Sequence, residues 1–309
     1  CMQRGGIYDH VGYGFSRYST DRKWIVPHFE KMLYDNALLA MAYTEAFQIT
    51  SNKRYSETAE DILTYVLRDM TSNKGVFYSA EDADSEGEEG KFYTWSPEEI
   101  KKILGDKDGN KFCYYFNITP SGNFKGKSIP NLVGSSIPNG DLNSMKNCRK
   151  KLFEVRKNRV HPFKDDKILT SWNGLMIAAL SIAGRVLNNK KYTAAAKKAV
   201  DFIFKELTGE DGRLLASYCR GKPSPAGYLD DYAFLIWGLI ELYESTYNPE
   251  YLEKALGLNE DLIRFFWDEK DGGFFLYSSD SEQLITRPKE IYDGAIPSGN
   301  SAALLNCHI

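Results

Sequence analysis

The chain has 309 residues, 42% of them hydrophobic and 14% aromatic, and a formal net charge of −3 from 39 basic and 42 acidic side chains. That is enough chain to bury one large core or two smaller ones. The near-neutral balance leaves no basic footprint for nucleic acid or an anionic membrane, and the longest apolar run, AFLIWGLI at 233–240, is core-sized and too short to span a bilayer.

The opening residues, CMQRGGIYDH, lack the apolar segment of a signal peptide. The cysteines at 1, 113, 148, 219 and 307 are scattered, with no Cys-x-x-Cys and no Cys/His pair at ligand spacing. A reducing cytoplasm is therefore expected, with no zinc site, disulfide framework, other metal or cofactor.

Helical patterns then recur along the chain. YDNALLAMAYTEAF (34–47), SWNGLMIAALSIAG (171–184) and DDYAFLIWGLIELY (230–243) are apolar on nearly every side, as buried helices are. Each runs into a short polar turn, TSNKRY, NNKKY or TYNPEY. A second helix with one apolar stripe follows, such as 55–70 and 192–207. Each second helix stops at a glycine turn leading into a strand-like piece: KGVFYSAEDADS, DGRLLASYCRGK and DGGFFLYSSDSE. From Asn36 to Gly75 is 39 residues, from Asn173 to Gly212 is 39, and from Tyr232 to Gly272 is 40. The 137 residues from Asn36 to Asn173 are about twice the unit length, which predicts a further, less regular unit at 96–165 with a long loop over 121–140. The last unit begins at IPSGNSAALLN. Its early stop, with a start at Cys1 in place of Met, suggests a fragment.

Helix pairs with a buried inner and an amphipathic outer member make an α-solenoid or a closed α/α barrel. All-round apolar inner helices favour closure. The expected fold is all-α, an incomplete (α/α)6-type toroid forming one domain over 1–309, with short β-hairpins at one end.

In such an alternation the outer-to-inner connections share one end, and they carry the unusual chemistry. STDRKWIVPHFEKMLYDN holds Trp24, His28, Glu30, Asp35 and Asn36, just after Arg17 and Tyr18. The next connections bring Asp166, Trp172 and Asn173, then Asp230, Asp231 and Tyr232, then Asp293 and Asn300. Rings that stack on pyranose faces, beside acids and amides that bond hydroxyls, describe a funnel for a small sugar or glycan. The competing reading is that YDN, SWN, DDY and SGN are helix caps. His28 is the natural proton-transfer group, and Glu30, Asp35, Asp230 and Asp231 are candidate acids and bases. His10, in IYDHVGYGF, is expected on the same rim.

The run EDADSEGEEG (81–90) starts like an EF-hand loop but has Tyr93 where a bidentate Glu is required. Glu81, Asp82 and Asp84 are expected to face the funnel, and Glu86, Glu88 and Glu89 to form a solvated tip.

GGIYDHVGYGFSRYSTDRKWIVPHFEKMLYDN, SAEDADSEGEEGKFYTW, DDKILTSWNGLMIAAL, YLDDYAFLIWGLIELYE and DGAIPSGNSAALLN resemble the spermatogenesis-associated, thioredoxin-domain-containing family. The resemblance runs through nearly the whole chain. It implies an α/α barrel akin to six-hairpin glycosidases and N-acylglucosamine 2-epimerases, and as a partner a thioredoxin-like domain that this sequence lacks. Ser16 stands in GYGFSRYS where the family pattern carries histidine. Fold ancestry alone does not assign activity. A sugar epimerase, isomerase or glycoside hydrolase is the leading expectation; a non-catalytic glycan- or protein-binding module, or a scaffold for the thioredoxin-like domain, is the alternative.

Overall fold

The computed structural model describes residues 1–223, 226–282 and 285–307. Among them lie ten α-helices: α1 Leu33–Thr50, α2 Lys53–Asp69, α3 Pro97–Leu104, α4 Asp106–Tyr115, α5 Leu142–Arg156, α6 Thr170–Val186, α7 Lys190–Glu206, α8 Leu229–Thr246, α9 Pro249–Phe266 and α10 Gly299–Asn306. The strands are two or three residues long. Contacts divide the chain into two units, Cys1–Met32 with Ala80–Asp165, and Leu33–Ser79 with Asp166–Ile309.

The second unit is a row of helical hairpins. Inner helices α1, α6, α8 and α10 pack in that order, and α2, α7 and α9 each pack on the inner helix preceding them. Along α6 every residue from Asn173 to Gly184 is buried, which accounts for its all-round apolar sequence. The outer helices bury one stripe, such as Tyr192, Ala196, Ala199, Val200 and Ile203 of α7.

All three inner-to-outer turns are built alike. A residue in the left-handed region (Ser51, Asn188, Tyr247) precedes an asparagine whose side-chain oxygen caps the outer helix. Asn52 accepts from the Arg54 amide at 3.1 Å, Asn189 from Lys191 at 3.2 Å and Asn248 from Glu250 at 3.2 Å.

The other end of each hairpin is also repeated. The outer helix stops, the chain turns on a glycine with φ of +85° (Gly75), +84° (Gly212) or +70° (Gly272), and a bridge forms across the turn. The bridges pair Thr71 with Phe77, Thr208 with Leu214 and Trp267 with Phe274. The residue two past the glycine is then gripped by the next inner helix. Asn173 accepts from the Phe77 amide at 3.0 Å and donates to the Phe77 carbonyl at 3.0 Å. Asn300 does the same to Phe274 at 2.8 and 2.9 Å, and the Tyr232 hydroxyl accepts from the Leu214 amide at 3.2 Å. An amide side chain presents a donor and an acceptor side by side, as a strand does, so it completes the bridge from its free edge.

The further hairpin expected at 96–165 is not part of this row: α6 packs directly against α1, and Ala80–Asp165 joins the first unit with Cys1–Met32. Counting residues cannot tell an added hairpin from an inserted module. That unit holds α3, α4 and α5 around Trp95, Phe112, Phe116 and Leu152. The long loop between α4 and α5 is present as expected. The strand-like piece expected at DGGFFLYSSDSE forms, among the described residues, the single bridge of Phe274 with Trp267, and residues 283 and 284 just past it lie outside the described residues.

A buried ion cluster anchors the first unit. Arg156, on the last turn of α5, grips Asp9 with two bonds of 2.8 and 2.7 Å, and Lys31 donates to Asp9 at 2.8 Å and to the Tyr13 carbonyl at 2.7 Å. Lys31 and Arg156 are each 2% exposed. Burial by itself would raise the Asp9 carboxyl, but Arg156 and Lys31 more than reverse this and hold it well below the usual carboxylate range. The 309-residue chain with Asp9→Ala is expected to lose about 3–5 kcal/mol in urea unfolding, because two buried cations lose their counter-ion. Replacing all three by apolar residues should recover most of that loss. Asn173→Ala should cost about 2–4 kcal/mol by stranding both Phe77 backbone groups; a loss under about 0.5 kcal/mol would exclude the clasp as a stabilising device.

Candidate functional site

The first turn of α8 builds a polar site in the second unit. Tyr228, in extended conformation, precedes the helix, and Asp231 reaches back to accept from the Tyr228 amide at 2.8 Å. Its other oxygen accepts from the Ser171 amide at 2.9 Å, tying the start of α8 to the start of α6. Asp231 is 3% exposed, and burial pushes its carboxyl up to about 7 although the Tyr228 and Ser171 amides pull it down.

Asp230, one residue earlier, is half-buried. Burial and the negative charge of Glu290 push it up to about 6, against the Gly299 amide that pulls it down. A Cβ on Gly299 would stand 2.3 Å from the Asp230 Oδ1, so only glycine fits there. Both acids line a cavity of about 580 Å³ with Leu169, Ser171, Ala216, Ser217, Ala226, Tyr228, Leu276 and Tyr277. The Tyr228 and Tyr277 rings meet edge-on at 5.8 Å.

Other expected site residues of this unit are committed elsewhere. Asn173, Tyr232 and Asn300 spend their polar atoms on the backbone clasps described above, a tertiary bond that neither the sugar reading nor the capping reading anticipates. Ser298 caps α10, and Asp293 braces that cap, its Oδ1 accepting from the Ser298 amide at 2.9 Å and the Ser301 hydroxyl at 2.7 Å. The Ser298 amide and these hydroxyls hold its carboxyl below the usual range. Asn36 is fully buried and Asp35 half-buried in the first turn of α1. Trp172 meets Tyr34 edge-on at 4.7 Å. Asp166 is exposed, with the Cys219 thiol 4.0 Å away.

The first unit gathers a different cluster. Tyr18 and His28 are register partners in a two-stranded ribbon and their rings stack at 5.1 Å. His28 Nε2 lies 3.3 Å from Glu30, and its Nδ1 3.1 Å from Glu89. Arg17 donates to Glu30 at 2.9 Å. The expectation for the acidic run needs correction here. Asp82 and Asp84 are exposed, Asp82 accepting from the amides of Ala83 and Asp84, while Glu81 is buried and pairs with Lys164 at 3.3 Å. The acid of that run that reaches His28 is Glu89. Side chains alternate along its strand, Glu88–Glu89, so Glu89 turns inward while Glu88 and Glu86 pair with Lys91 at the tip. Trp24 holds a left-handed φ of +63°, and its carbonyl accepts from the Gly6 amide at 2.7 Å.

His10 is not on a rim. It is 2% exposed with Nε2 2.9 Å from the Gly5 carbonyl, and burial together with nearby Arg149 pushes it down to about 3, so it is a neutral core histidine. Among the described residues no group of three or more His, Cys, Asp or Glu is placed to hold a metal ion, and no helix is long and apolar enough to cross a membrane.

Sequence reasoning passed over Ser171, Tyr277, Glu290 and Gly299. Ser171 and Gly299 sit one or two residues from clasp asparagines, which was the available signal; Tyr277 and Glu290 reach the site only through long-range folding.

No family model matches the chain. Human spermatogenesis-associated protein 20 is 36% identical over 99% of this chain and 44% of its own length, and an uncharacterized protein of Caenorhabditis elegans is 34% identical over 99% and 47%. The chain is thus similar in sequence to these proteins over nearly all of its own length and spans less than half of theirs. Among solved structures it is similar to a cellobiose 2-epimerase from Spirochaeta thermophila, with a TM-score of 0.58, 11% identity and coverage of 90% of this chain and 54% of that one. It is also similar to an unsaturated glucuronyl hydrolase from a Bacillus species, with a TM-score of 0.57, 14% identity and coverage of 99% and 64%. The hairpin row thus has the α/α-toroid fold of those two structures.

Because Asp230 and Asp231 both titrate higher folded than unfolded, near ~3.9, they favour the folded state when protonated. That contribution is lost as pH rises through about 6 and 7. Asp230→Asn is therefore expected to match the parent at pH ~4 and exceed it by about 1–2 kcal/mol at pH ~8 in urea midpoints. Parallel curves at both pH values would exclude a raised Asp230.

Proposed function

We propose that this homologue of the spermatogenesis-associated proteins moves a proton on a neutral sugar held in the Asp230 cavity. The observation that carries this is a carboxyl raised to about 6, with its negative neighbour Glu290, lining a 580 Å³ cavity walled by two tyrosines. An acid that titrates near neutrality is populated in both forms and can take and return a proton. Tyr228 and Tyr277 offer ring surface to a pyranose, and the Ser171 and Ser217 hydroxyls suit its hydroxyls.

Two features narrow the reaction. Both oxygens of Asp231 are engaged by amides, so Asp230 is the lining carboxyl left to act, with Asp231 as the residue that positions it. Glycoside hydrolysis by the common routes needs two working carboxyls, and epimerisation needs a second proton-transfer group on the opposite face of the inverted carbon, whereas aldose–ketose isomerisation can run on one group that takes a proton from one carbon and returns it to the next on the same face. Among the described residues the lining also holds two acids and no Lys, Arg or His. Uronates and sugar phosphates would meet uncompensated negative charge there.

His28 supports a second reading. An imidazole flanked at both nitrogens by carboxylates, within 3.3 Å, is a histidine–carboxylate relay in the first unit.

Incubation with neutral mono- and disaccharides in deuterium oxide, followed by proton NMR, tests the assignment. Deuterium should enter a carbon-bound position, at a rate rising through pH ~6 as Asp230 ionises, and fall by about 10²–10⁴ in Asp230→Asn. Uptake that survives Asp230→Asn but vanishes in His28→Gln transfers the chemistry to the relay. No uptake with any neutral sugar removes the proton-transfer reading.

A further inference from the structure

A second, larger concavity lies on the outer surface of the hairpin row. It has a volume of about 890 Å³ and runs between α7 and the end of α2 with its glycine turn. Lys191, Lys198 and Lys205 stand along the α7 wall, seven residues apart and all exposed. At 1.5 Å per residue, successive lysines are ~10.5 Å apart on one face. Lys74 stands on the opposite wall, donating to the Tyr218 hydroxyl at 2.8 Å.

Among the described residues the groove has four cations against two carboxylates, Asp201 and Glu206. Lys205 lies 3.6 Å from Glu206, and Lys191 and Lys198 have no ion-pair partner among the described residues. Its floor is apolar, made by Leu67, Ala194, Ala195 and the buried Phe202. Gly75 packs on the stem of Lys198, where an added Cβ would meet the Lys198 Cβ at 3.3 Å.

We propose that this groove docks an acidic α-helix of a partner protein, laid along α7 with Asp or Glu at every seventh position. Such a helix repeats its charge at the spacing of the three lysines. The alanines let its backbone approach, and the floor accepts its apolar side chains. A sulfated or uronate polysaccharide could match the charges but has no apolar side chains for that floor. The surface is remote in kind from the Asp230 cavity: it has the opposite charge and shares none of its lining residues.

The test uses the 309-residue chain and a fluorescein-labelled, Ala/Leu-rich peptide of about 22 residues with Glu at every seventh position, long enough to be helical. Fluorescence anisotropy should show saturable binding, weakened at least about tenfold by Lys191→Glu/Lys198→Glu/Lys205→Glu and also by raised salt. A peptide of the same composition with its glutamates out of register should bind at least about tenfold more weakly. The charge-neutral Lys191→Gln/Lys198→Gln/Lys205→Gln variant, checked for native circular dichroism, separates lost charge from lost folding. Absence of peptide binding, binding that both triple variants retain, equal binding of the two peptides, or charge-dependent binding of a sulfated oligosaccharide in place of the peptide would each overturn the proposal.

Discussion

The hairpin row depends on one constraint: every backbone group exposed where an outer helix ends must find a partner before the chain enters the next inner helix. Helices satisfy their own amides only between their ends. At Gly75, Gly212 and Gly272 the chain leaves the helix by a left-handed turn and exposes a short extended piece. The bridge across the turn satisfies one edge of that piece, and the clasp from the next inner helix satisfies the other. Because the clasping residue belongs to the following hairpin, the same bonds set the spacing of successive inner helices. The asparagine caps at the opposite end do the corresponding work for the outer helices.

That division of labour decides which polar residues remain for chemistry. Most acids, amides and rings before the inner helices look equally suited to a sugar when read along the chain. Clasps consume Asn173, Tyr232 and Asn300, and the brace on the Ser298 cap of α10 consumes Asp293. Asp231 is consumed too, by two amides, one of them on a different hairpin. The glycine at 299 leaves room beside Asp230 and donates its amide to it, and the charge of Glu290 acting on it is of the same sign. The raised titration of Asp230 follows from burial without a cation, the reverse of Asp9, where two buried cations outweigh the same burial.

The hairpin repeat was legible because its signals are local. Apolar residues on every side mark α1, α6 and α8; polar turns and glycine stops mark the hairpin ends. The insertion of Ala80–Asp165 was not legible, because α3, α4 and α5 carry ordinary helical patterns and nothing local records that α6 packs on α1. Nor was the partner of His28, since Glu89 sits in a glycine-flanked acidic run whose strand alternation depends on a hairpin register. The misplacement of His10 has the same origin: an isolated histidine in a glycine-rich segment reads alike on a rim or in a core.

The sequence by itself determined that this is an all-helical chain of paired inner and outer helices, with caps, turns and relatives to match, because each of those features is decided within about a dozen neighbouring residues. Tertiary structure alone decided which polar side chains line the Asp230 cavity and which hold the fold together. Asn173 meets Phe77 across 96 residues, and Asp9 meets Arg156 across 147. A hydrogen bond or an ion pair made over such separations leaves no period, spacing or composition in the chain, so only the folded arrangement separates the clasp from the site.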